Sequence, residues 1–116
     1  MSTGLQRDLQ TLIKLNSRKW YDVSYERASG VDYVNDTGAE LVFTARISDE
    51  GTATYRDFYV DGVEVASVKP NMQNTGNDGD DRKQLIVHVP AGATYRHRGI
   101  DHEGADTIFE LRCTPP

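Results

Sequence analysis

The chain has 116 residues, 37% of them hydrophobic and 27% charged, with a formal net charge of −5. One domain of this size buries about two-thirds of its extended surface without needing staples. The acidic balance and scattered Lys and Arg argue against a phosphate-backbone binder, since that affinity comes from clustered cations; Arg96-His97-Arg98 is the densest basic patch. Cys113 is the sole cysteine, so no intrachain disulfide and no thiolate metal cage is expected. No stretch approaches the ~20 apolar residues of a membrane span, and Arg7 and Asp8 interrupt the apolar pattern a secretory signal would need. The expectation is a protein made and folded in a cytoplasm, without membrane insertion.

In chain order, residues 3–17 have a helical period. Leu5, Leu9 and Leu12 lie four and three apart with Ile13 beside them, and polar residues fill the other face. Thr3 and Gln6 have capping-box spacing. From Trp20 the period changes to two, predicting strands at 20–25, 31–35, 40–48, 53–60, 63–69, 84–89, 93–98 and 107–113. Leu41, Phe43, Ala45 and Ile47 should share one face, against Val42, Thr44, Arg46 and Ser48. Asp61-Gly62 predicts a two-residue hairpin, and Asn35-Asp36-Thr37-Gly38, Asp49-Glu50-Gly51 and Pro90-Ala91-Gly92 predict further turns. Regularly spaced short strands without helical crossovers predict an all-β fold: an antiparallel β-sandwich of about eight strands behind one short N-terminal amphipathic α-helix. The division is 1–19, helix and connector, and 20–116, β-sandwich domain.

Chemistry-bearing clusters are sparse. Asn74-Thr75-Gly76-Asn77-Asp78-Gly79-Asp80-Asp81 crowds oxygen ligands, but lacks the spacing and flanking helices of a calcium hand and reads as a solvated, mobile acidic loop, with a calcium site as the alternative. His88, His97 and His102 are the only histidines; outward polar positions are expected, with a metal shared in a symmetric trimer as the alternative. No nucleophile elbow appears, and Asp57, Asp61 and Glu64 fall on turns or outward strand faces, so neither an enzyme nor a cofactor is expected. Trp20, Tyr33 and Tyr95 are expected in the core, while Tyr21, Tyr25 and Tyr55 remain candidates for stacking on sugars or anchoring a partner.

Trp20-Tyr21-Asp22-Val23, Arg27-Ala28-Ser29-Gly30, Tyr33-Val34-Asn35-Asp36-Thr37-Gly38, Val60-Asp61-Gly62-Val63, Val89-Pro90-Ala91-Gly92-Ala93-Thr94-Tyr95 and Phe109-Glu110-Leu111-Arg112, in that order, resemble a small all-β domain of tailed-bacteriophage virion proteins. Such domains occur at tail-fibre C-termini and as stand-alone virion components. The likeness covers residues 19–113, with Phe109 standing where a core Trp is more typical. It implies a virion location, a structural or adhesive role, homo-oligomerisation and no catalytic residues. With only about 19 residues ahead of the β region, a small decoration, collar or tail-tip component is expected, bound to other virion proteins. The alternative is a receptor- or carbohydrate-binding module for host-surface glycans, acting through Tyr21, Tyr25 and Tyr55.

The helix carries the partner expectation. Leu5, Leu9, Leu12 and Ile13, with Asn16 as a polar seam residue, have coiled-coil spacing, and so short a helix needs its stripe covered. The domain's own open sheet face could cover it. A partner is favoured, most simply the same helix from neighbouring copies in a trimer.

Overall fold

A computed structural model describes residues 4–47, 55–68, 83–100 and 106–116, with helix side chains described from Asp8 onward. Among these residues one helix, α1 (Gly4–Asn16), precedes eight strands: β1 (Lys19–Asp22), β2 (Tyr33–Val34), β3 (Leu41–Ile47), β4 (Arg56–Val60), β5 (Val63–Val68), β6 (Lys83–Val89), β7 (Thr94–Arg98) and β8 (Thr107–Arg112). They form two four-stranded sheets, ordered β1-β8-β3-β6 and β2-β7-β4-β5. Every pairing is antiparallel. The expected all-β antiparallel character with one short helix is therefore present.

The side-chain period of two decides the core. In β3, Leu41, Phe43, Ala45 and Ile47 are all fully buried, on the one face the alternation predicts. Leu85, Val87 and Val89 of β6 and Ile108 of β8 join them from the same sheet, and Phe58 and Tyr95 from the other, in one cluster. Phe43 and Phe58 pack at 4.5 Å between ring centroids, and Tyr95 lies 6.1 Å from Phe58.

Two aromatic expectations are corrected. Trp20 is 56% exposed and Phe109 36% exposed, so neither fills the core. Phe109 falls out of phase in β8, where Ile108, Glu110 and Arg112 are the buried residues. Trp20 sits on the edge strand β1 opposite Leu111, which has the same phase as Phe109. Tyr95 is buried and Tyr33 packs half-buried against the core, as expected.

The β4–β5 connection is the two-residue turn expected from Asp61-Gly62, with φ +50° and +80°. Asp61 Oδ1 accepts from the Thr94 amide (2.9 Å), which ties the turn to β7. A Cβ at position 62 would meet nothing within 4 Å, so the cost of a side chain there is conformational. Gly62→Val is expected to destabilise by about 1–2 kcal/mol; an unchanged melting temperature would contradict this.

Candidate functional site

The helix surface comes first. Leu9, Leu12 and Ile13 are 57%, 54% and 57% exposed, and Asn16 is exposed beyond them. The stripe is therefore not covered by the domain's own sheet face at these positions; the Leu5 side chain and the Thr3–Gln6 cap lie outside the described residues. The helix end is closed by Ser17, whose amide and hydroxyl both donate to the Ile13 carbonyl (3.1 and 2.8 Å), and by Arg18 Nε on the Leu15 carbonyl (3.0 Å). Lys14 reaches back to Gly38, so the last helical turn touches the β2–β3 connection while the apolar stripe stays open.

The outer face of the first sheet also exposes apolar side chains, Trp20, Ile86 and Phe109. Register places Trp20, Leu111, Val42 and His88 in one row across β1, β8, β3 and β6, and Asp22, Phe109, Thr44 and Ile86 in the next. Ile86 is 55% exposed. His88 pairs at its Nδ1 with Glu40 (2.9 Å) on this exposed side, the outward polar position expected of it.

The second sheet has a polar outer face. Asp57 accepts at Oδ1 from the Ser67 hydroxyl (3.0 Å) and at Oδ2 from Arg98 Nη2 (2.8 Å). These residues come from β5, β4 and β7 in one register row. The Asp57 bond raises the pKa of the Arg98 guanidinium. Arg98 and Arg96 both lie over the Tyr59 ring, at 5.8 and 4.6 Å. Tyr55 (59% exposed), Asp57, Glu64, Ser67 and Arg98 line an open groove of about 480 Å³. Of the other candidate aromatics, Tyr25 is 81% exposed and Tyr21 is half-buried against the core; neither lines this groove.

Sequence reasoning missed a charged interior. Glu110 is fully buried and accepts four bonds: Arg27 Nε (2.8 Å), Arg27 Nη2 (3.0 Å), Tyr95 Oη (2.7 Å) and Arg112 Nη1 (2.7 Å). Those four donors match the acceptor capacity of a carboxylate. Burial raises the Tyr95 pKa, and the adjacent Glu110 charge raises it further. Burial would lower that of Arg27, but its bond to Glu110 and the carboxylate's charge reverse the sign. Arg112 also approaches Asp36 (3.6 Å). A second buried pair, Arg56 and Asp106, stands at 3.4 Å. The missed signal was phase: Glu110 and Arg112 alternate with Phe109 and Leu111, in step with the buried Ile108.

His97 is buried rather than outward as the sequence suggested, at 1% exposure. Its Nε2 lies 2.6 Å from the Arg27 carbonyl, which can only accept, so that nitrogen carries the proton. Nδ1 has no hydrogen-bond partner among the described residues. Burial depresses the pKa below 6.5. The folded state thus resists a proton that the unfolded chain accepts, and its stability, present above about pH 6.5, is lost as pH falls toward the folded pKa. The melting temperature should drop between neutral pH and about pH 5, and drop less in His97→Gln; equal slopes would overturn this.

No group of three or more potential metal-ligating side chains occurs among the described residues. The 74–81 loop and His102 lie outside them. No protein-family model, curated protein or solved structure matches the chain.

Proposed function

We propose that the chain is a non-enzymatic structural protein of a tailed-bacteriophage virion, a small decoration, collar or tail/fibre-tip component. It is made in the host cytoplasm and assembles through its N-terminal helix. In this reading the two sheets pack as a β-sandwich, displayed by a homo-oligomer, most simply a trimer, that docks onto other virion proteins. The observation that carries it is the helix stripe: Leu9, Leu12 and Ile13 all lie more than half exposed on a helix of 13 residues. A helix this short is marginal alone, and covering each such side chain returns about 1.5–3 kcal/mol. Asn16 gives the seam a polar position that can fix register. The virion assignment rests on the ordered resemblance of residues 19–113 to phage virion domains.

Light scattering on the full chain and on a variant lacking residues 1–17 tests the assembly. A discrete oligomer that becomes a folded monomer on deletion is expected; an unchanged mass, or a monomeric full chain, overturns it. Mass spectrometry of purified particles tests the location, where absence of the chain counts against a virion role.

A further inference from the structure

We infer that the groove between β4, β5 and β7 binds a neutral pyranose sugar, stacked on Tyr55 and hydrogen-bonded by Asp57, Glu64, Ser67 and Arg98. This goes beyond the assembly proposal and uses none of the helix surface. The volume, about 480 Å³, falls among small-molecule sites, which span ~300–1,000 Å³. Its lining combines one exposed aromatic ring with donors and acceptors at close quarters. A pyranose presents the matching surfaces: a C–H face that packs on an aromatic ring, and hydroxyls that each donate and accept.

The polar side is organised before any ligand arrives. Asp57 is only 6% exposed, with one oxygen on Ser67 and the other on Arg98. Arg98 in turn lies over Tyr59 and keeps 64% of its side chain exposed. A guanidinium fixed at one nitrogen with the rest accessible can donate to a sugar hydroxyl without first being ordered. The backbone beneath Tyr55 is also set. Gly99 has φ +92°, and a Cβ there would stand 2.7 Å from the Tyr55 carbonyl, so β7 and the start of β4 approach at a distance only glycine permits.

Charge selects among ligands. Two carboxylates, Asp57 and Glu64, face one guanidinium in the lining, and that guanidinium is already paired with Asp57. The local balance is negative, which disfavours acidic sugars. The same balance does not exclude a cation, so what favours the polyol is the match of its hydroxyls to paired donors and acceptors in the lining.

The test is amide chemical-shift mapping on the full chain with millimolar methyl β-glucopyranoside, methyl β-galactopyranoside, methyl N-acetyl-β-glucosaminide, N-acetylneuraminic acid and tetramethylammonium. At least one neutral glycoside should move the amides of Tyr55, Asp57, Ser67 and Arg98, and bind more tightly than the acid or the cation. Tyr55→Ala should weaken that binding about tenfold, and Glu64→Gln, which keeps the fold and an acceptor, should weaken it less while narrowing the discrimination against the acid. The inference is overturned if no neutral glycoside binds, if only the acid or the cation binds, if the shifts map elsewhere, or if Tyr55→Ala binds as the parent does.

Discussion

Glu110→Ala is expected to lower stability by about 3–5 kcal/mol, the largest effect of any single substitution proposed for this chain. The loss does not equal the strength of the ion pairs. It arises because Arg27 and Arg112, at 9% and 5% side-chain exposure, would keep their charges in a buried site without the carboxylate that compensates them. Tyr95 would lose its acceptor at the same time. For a domain of this size the melting temperature should fall by on the order of 15 °C or more. Glu110→Gln, which keeps one acceptor oxygen but no charge, should fall in between. A shift of only a few degrees in the alanine variant would mean that the guanidinium groups escape to solvent and that the network does not anchor β8 to the 27–30 segment.

Asn35→Ala should cost about 2–4 kcal/mol. Asn35 is fully buried, and its amide nitrogen donates to the carbonyls of Ala39 (2.9 Å), Val89 (2.9 Å) and Pro90 (3.1 Å). Its Oδ1 accepts from the Thr37 amide (3.2 Å) and hydroxyl (2.8 Å). One side chain therefore satisfies both the 35–39 turn and the turn from β6 to β7, and alanine orphans these polar groups where water cannot replace it. Asn35→Asp keeps the acceptor and removes the donors, so it should be nearly as damaging. Chemical denaturation midpoints measure both; a midpoint within error of the parent would show that the turns hold without the amide.

Local patterns in the sequence placed most of the fold. Alternation in Leu41–Ile47 and Leu85–Val89 located β3 and β6, and Asp61-Gly62 located its hairpin. β2 was expected over 31–35 but pairs only at Tyr33–Val34. Trp20 and Phe109 were misplaced for one reason. Hydrophobicity read residue by residue sends Phe109 and Leu111 inward, whereas the buried phase of β8 belongs to Glu110 and Arg112. Glu110 and Arg112 pair with each other across two positions, and Arg27, 83 positions away, completes the buried network; no local pattern reports a pairing at that range. The groove was equally hidden. Asp57, Ser67 and Arg98 meet through the register of three strands, in a sheet whose β4–β5 pairing slips at Phe58/Tyr59.

The outward position of Trp20 gives the molecule a built-in optical reporter. It is the chain's single tryptophan, more than half exposed, two residues past the Arg18 that closes the helix end and in register with Leu111. An indole in contact with water emits at longer wavelength than one sealed in an apolar contact. Whatever comes to cover the helix and the adjoining edge strand should therefore shift the emission to the blue, while closure at the Tyr55 groove, on the other sheet and not lined by Trp20, should leave it unmoved. Without any label, one spectrum can separate the two surfaces.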